Sequence, residues 1–202
     1  MQLRNDSFQV IPGSERLASV ATVFLVTPFD ESNNKRLIGT REDGFFIVGG
    51  QTIQSFPTDM DKFETVNREI RTIVEEPGGD LWLGARASGV FHVEFQSSDS
   101  IKDCQVTRFG KSSQLPDTDV QVFWAAGHAM FGTTSGLLRF DPTKKIFVPD
   151  DTLGREFSGK LSYVYRLEED TQRSIWLHAG GKNFRALDSI VLPLVGTNIK
   201  FF

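Results

Sequence analysis

Cysteine is almost absent. The lone Cys104 excludes an intrachain disulfide but leaves the compartment open, because many proteins of oxidising spaces carry none. Tyrosine is scarce too. Two Tyr stand against eighteen Phe, so the aromatic rings fill core rather than present hydroxyls. There are three histidines, His92, His128 and His178, and none is spaced as H-x-x-x-H or sits beside a second ligand type in a metal motif. No metal site and no cofactor is therefore expected. No run approaches the roughly 18 apolar residues of a membrane-spanning helix. The opening Met1-Gln2-Leu3-Arg4-Asn5-Asp6 is polar and lacks the apolar centre of an export signal. An excess of one charge is missing as well. The net charge is −4 with the signs interspersed, which argues against nucleic acid or an anionic membrane as partner.

What is present is repetition. Ile70–Phe95 reads as three strands and two tight turns. Ile70–Glu75 is rich in β-branched residues, Pro77-Gly78-Gly79 turns the chain, Leu81-Trp82-Leu83 is apolar, and Arg86-Ala87-Ser88-Gly89 turns it again. Phe91, Val93 and Phe95 then alternate with Val90, His92 and Glu94, the period of a half-buried strand. The Gly-turn-Gly centre recurs at Gly39–Gly44 and Gly132–Gly136, and more weakly at His178–Gly181. The steps are 84−39 = 45, 132−84 = 48 and 178−132 = 46, with His178 in the glycine place of the last copy. Self-similarity at about 40–50 residues with strand content predicts a radial or stacked repeat, most often a β-propeller.

The segment Ile70–Gly89 resembles the two-component regulator propeller repeat. Gly132–Asp141 is similar to the second half of that repeat and Arg166–Leu177 to its first half. The resemblance runs from about residue 19 to 188. It implies an all-β fold of about four four-stranded antiparallel propeller blades, an incomplete part of a larger ring. It also implies a ligand-sensing or dimer-scaffolding role in a bacterial receptor, non-catalytic by itself and periplasmic. If the chain were complete as given, its polar start would instead imply the cytoplasm. The partners implied are the rest of the receptor chain and a second copy, with a carbohydrate or a small anion as ligand. A pure interaction scaffold, or a propeller lyase or lactonase, would be the alternatives.

On this reading residues 1–202 form one repeat region. Ser7–Ile11 is the outer strand of a preceding blade, and the blades cover about 19–56, 70–109, 120–148 and 162–194. Val20–Val26 is the first inner strand and Thr27–Lys35 a polar loop. The second-to-third-strand turns share one face. Arg41, Arg86 and Lys182 either give that face basic groups suited to an anion or stand there as solvated turn residues; Trp124 is a further candidate ligand contact, and the odd His178 is either another or a local repacking. Trp82 and Trp176 hold equivalent places and read as packing between blades. Glu75-Glu76 and Glu168-Glu169-Asp170 match in repeat phase, which favours a turn-flanking role over acid–base catalysis. Ser88-Gly89, Ser135-Gly136 and Ser158-Gly159 are not the centre of a nucleophile elbow.

Overall fold

The computed structural model describes residues 2–4, 7–18, 23–30, 34–40, 44–49, 52–56, 70–95, 104–116, 118–158, 163–187 and 190–194. Arg41, the turn around it and the connection 57–69 lie outside the described residues. Among the described residues eighteen strands run in chain order. A hairpin of β1 (Gln2–Arg4) and β2 (Ser7–Gln9) leads into a four-residue helix, α1 (Glu15–Ala18). The first sheet holds β3 (Val23–Asp30), β4 (Lys35–Thr40), β5 (Phe45–Gly49) and β6 (Thr52–Phe56). The second holds β7 (Ile70–Glu75), β8 (Leu81–Ala85), β9 (Gly89–Phe95) and β10 (Cys104–Phe109). The third holds β11 (Gln121–Ala125), β12 (His128–Thr133), β13 (Gly136–Asp141) and β14 (Ile146–Pro149). The fourth holds β15 (Val164–Glu169), β16 (Ile175–Ala179), β17 (Lys182–Leu187) and β18 (Ile190–Pro193). A 3-10 turn at Lys111–Ser113 links the second sheet to the third.

Each sheet is an antiparallel meander of four strands paired in chain order. The four sheets are separate, and none is closed or curled into the blade arrangement of a propeller. The propeller reading is thereby corrected. The repeat encodes one meander and the way it packs on the next, and both are local. A ring is a property of all the sheets together, and no residue pattern within one repeat specifies it.

Ser7–Gln9, expected as an outer strand, pairs with Gln2–Arg4 in a hairpin. One further expectation changes. The segment Thr27–Asp30, expected as loop, continues β3 through Pro28. Pro28 is tolerated because β3 is an edge strand, and the pairing with β4 shifts register between Pro28 and Asp30.

Strand periodicity sorts the side chains into faces. One face of the second sheet carries Leu81, Leu83, Phe91 and Val93, which pack with Leu37, Phe45 and Ile47 of the first sheet. The other face carries Trp82 and Val90, which pack with Val122, Phe131, Leu138 and Phe147 of the third. The far face of the third sheet, with Phe123, Met130 and Leu137, meets Leu167, Ile175, Leu177 and Ala186 of the fourth. Burying each such large side chain is worth about 1.5–3 kcal/mol. The result is a stack of sheets joined neighbour to neighbour. The Thr72 hydroxyl strengthens one joint by accepting the Val122 N–H at 2.7 Å, between first strands of successive sheets.

The glycine that opens the repeat motif in the second and third sheets is required for space. A Cβ on Gly84 would lie 2.3 Å from the carbonyl oxygen of Val120, and one on Gly132 would lie 2.3 Å from that of Val164. In both joints the first strand of the following sheet lies over the glycine. His178 takes this place in the fourth sheet, where no following strand lies among the described residues. Its Nδ1 is 2.7 Å from Asn183 Oδ1, across the β16–β17 pair. The glycine at the second-to-third-strand turn has a different reason to be there. Gly89 and Gly136 hold φ of 79° and 98°, a region that side chains disfavour.

Candidate functional site

The first-to-second-strand turns of the third and fourth sheets face each other across a cleft of about 660 Å³. One wall is Trp124, at the end of β11, with the Ala126-Gly127 turn. The other is Glu169, Asp170 and Arg173, where β15 turns into β16. Leu153 and Ile175 give it an apolar floor.

The local sequence builds both walls. In the fourth sheet, Asp170 closes its own turn. Its Oδ1 accepts the backbone N–H groups of Gln172 and Ser174 at 2.8 and 2.9 Å, and its Oδ2 accepts the Trp176 indole N–H at 2.9 Å. The indole hydrogen bond is the largest of the influences that hold the Asp170 carboxyl below its ordinary pKa, the two backbone N–H groups adding to it against partial desolvation. Glu169 Oε2 reaches across the cleft to accept the Ala126 N–H at 2.8 Å, fixing one wall to the other.

The same turn occurs in the second sheet, where Glu76 accepts the Trp82 indole N–H at 2.9 Å. The acid lies six residues before the tryptophan in both copies. The copies differ at the left-handed place of the turn. Gly79 occupies the left-handed place in the second sheet, at φ 92°, and Arg173 occupies it in the fourth, at φ 62°. A left-handed non-glycine residue costs about 1–2 kcal/mol. Across the cleft, Ala126 is left-handed as well, at φ 51°. Both are tight-turn positions, and Ala87 and Lys145 hold the same left-handed conformation in other strand-connecting turns.

Of the residues singled out from the sequence, Trp124 lines this cleft. Arg86 is exposed in the β8–β9 turn and Lys182 is exposed at the start of β17. Both belong to second-to-third-strand turns, at the opposite end of the strands from the cleft. His178 pairs with Asn183 near that same end. The structure therefore separates Trp124 from Arg86, His178 and Lys182. Sequence reasoning passed over Arg173, and read Asp170 only as a turn-flanking acid. Aligning the copies on their tryptophans exposes the signal, an arginine standing where the turn wants Gly79.

A second buried polar pair lies near this region. His128 Nε2 is 2.7 Å from Asp150 Oδ2, and the Thr152 N–H donates to Asp150 Oδ1 at 3.0 Å. Burial pushes the Asp150 carboxyl up. The hydrogen bonds from Thr152 and His128 outweigh it and hold the group below the ordinary value.

No family model and no curated protein matches the chain. Solved structures do. The extracellular domain of a B. thetaiotaomicron protein described as a hybrid two component system, BT4673, superposes with a TM-score of 0.58 at 21% identity, over 85% of this chain and 22% of that one. The extracellular domain of a second such B. thetaiotaomicron system, BT3049, gives 0.54 at 15% identity over 81% of this chain and 20% of that one. A catalytically inactive virginiamycin B lyase from Staphylococcus aureus, solved with quinupristin, gives 0.54 at 11% identity over 89% of this chain and 57% of that one. The chain spans about a fifth of the length of these two extracellular domains. In fold it resembles the extracellular domains of bacterial two-component signalling proteins.

Proposed function

We propose that this chain is a ligand-sensing segment of a bacterial signal-transduction receptor, extracytoplasmic and without catalysis of its own. The fold likeness to extracellular domains of two-component proteins supports the setting. A lyase shares the fold at similar similarity, so the functional reading rests on the site. The observation that carries it is Arg173, held left-handed at the mouth of a cleft walled by Trp124, Glu169 and Asp170.

An indole offers a flat apolar face for sugar C–H groups. Carboxylates accept hydroxyl protons, and a guanidinium donates to ring and hydroxyl oxygens. Two carboxylates against one arginine give the cleft a negative balance, which favours a neutral carbohydrate over a small anion. Titration calorimetry against neutral oligosaccharides and organic anions tests the reading. Binding of a neutral sugar, weakened at least tenfold by Trp124→Ala and by Arg173→Gly, is expected. Binding that survives both but is lost in an Arg86→Ala, Lys182→Ala double variant would move the site to the other end of the strands.

A second reading has its own observation. Leu187, Ile190 and Leu192 share the outward face of the fourth sheet and are 41%, 63% and 59% exposed. The corresponding face of the second sheet buries Trp82 against the third. This favours an interaction surface, for more of the receptor or for a second copy of the chain. Light scattering over a concentration series tests it, with self-association that Leu192→Lys abolishes as the expected result. A monomer at every concentration would sink the dimer form of it.

A further inference from the structure

The second sheet holds a group of side chains that neither the cleft nor the core accounts for. Glu76 follows β7, Asp80 precedes β8, and His92 lies on β9 opposite Trp82. One ligand atom from each of the three comes within 4.8 Å of the other two. We infer that Glu76, Asp80 and His92 form a site for a first-row divalent cation such as Zn²⁺.

Each carboxylate is half committed. Glu76 Oε1 takes the Trp82 indole N–H, and Glu76 Oε2 is left 3.8 Å from His92 Nε2. Asp80 Oδ1 takes the Phe95 backbone N–H at 2.9 Å, which orients the carboxylate and leaves its other oxygen over. These bonds do for the acids what outer-shell partners do at established metal sites.

The histidine is held in the same way. Its ring stacks on Trp82, with centroids 4.0 Å apart and planes 22° apart. Nδ1 lies 3.9 Å from Glu94 Oε2, so the tautomer that turns Nδ1–H toward that carboxylate presents Nε2 as the metal-binding lone pair. Nε2 is buried and has no hydrogen-bond partner. A buried ring nitrogen facing two oriented carboxylate oxygens, without a hydrogen bond of its own, is a donor set lacking its acceptor.

One imidazole with two carboxylates suits zinc or manganese better than calcium or magnesium, which take oxygen ligands alone. Bond lengths near 2.0–2.1 Å place tetrahedral ligands about 3.3 Å apart. The three side chains close that gap by small rotations, since Glu76 is only partly buried. The site borders a cavity of about 520 Å³, also lined by His128 and Arg139. Positions the protein leaves open therefore face space in which water or an oxygen ligand completes the set. Histidine spacing alone could not show this, because the ligands come from one turn and from a strand twelve or more residues further on.

The test uses the full chain stripped with a chelator and titrated with Zn²⁺ by calorimetry, with elemental analysis after dialysis. One Zn²⁺ per chain at micromolar Kd is expected, with a rise in Tm. His92→Gln and Asp80→Asn should each weaken binding at least tenfold while circular dichroism shows the sheet intact. Glu94→Gln, which touches no metal, should weaken it less, by a few fold. Because His92 also packs on Trp82, Asp80→Asn is the variant that separates ligand loss from unfolding. No binding at millimolar Zn²⁺, or binding that Asp80→Asn and His92→Gln leave unchanged, would overturn the site and leave His92 and Glu76 as a plain ion pair.

Discussion

At the scale of single residues, two substitutions separate space from conformation. Gly84→Ala and Gly132→Ala each push a methyl against a backbone carbonyl that cannot step aside, and each should cost about 3 kcal/mol or more, at the upper end of overpacking. His178→Gly, at the matching place in the last sheet, should cost no more than about 1 kcal/mol, the ordinary penalty of glycine in a strand. Urea titration of the three variants checks the contrast, and a large loss in His178→Gly would refute the spatial account. The pH dependence of stability has a residue-scale origin too. Asp150 is held below its ordinary pKa, so its contribution is full above the unfolded value near 3.9 and fades as pH falls through the folded value. Asp150→Asn should therefore lower Tm at neutral pH, by about 1–3 kcal/mol in stability. The gap to the wild type should close as the pH drops below about 4. A gap that is constant from pH 7 to pH 2 would exclude the carboxylate as its source. The reason for the glycines at 84 and 132 was not legible in the sequence. A motif glycine reads as a turn former, and only the fold shows the neighbouring carbonyl.

At the scale of elements, the recurring unit is a turn in which an acid takes the indole N–H of a tryptophan six residues on. The two copies do different work. Trp82 is 2% exposed and packs against Phe109, Phe131, Phe140 and Phe147, with ring centroids 5.1 to 6.2 Å away. Trp176 is half-buried, with Arg185 over its ring at 5.1 Å. Trp82→Ala should cost about 3–5 kcal/mol. Trp176→Ala should cost about 1–2 kcal/mol, since less area leaves water. Equal losses would mean that the fourth sheet is covered in solution by something that packs on it. These strands were readable beforehand because period-2 alternation and turn residues are local signals. Phe91 and Val93 on one face and Val90 on the other follow from counting by twos. The end of β3 was misread because Pro28 and the polar residues after it speak for a loop. Their position on a sheet edge, which lets the proline stay, is not local information.

At the scale of the whole molecule, the chain is a run of four meanders, each resting on the one before. Its repeat length was plain in the sequence. The arrangement of the sheets relative to one another was not, and neither was the cleft, whose walls come from residues as much as 49 positions apart (Arg173 minus Trp124 is 49). The join between sheets has a direction. At two successive joints a sheet presents a glycine to its successor, which presents a carbonyl in return, as Gly84 meets Val120 and Gly132 meets Val164. A unit cut out anywhere along the run therefore carries one half of each joint at its two borders. Any such unit can be deleted, duplicated or exchanged by recombination between copies, and the remaining halves still fit. The array is in this sense modular at the level of the gene, and His178 replaces the glycine at a place over which no following strand lies among the described residues.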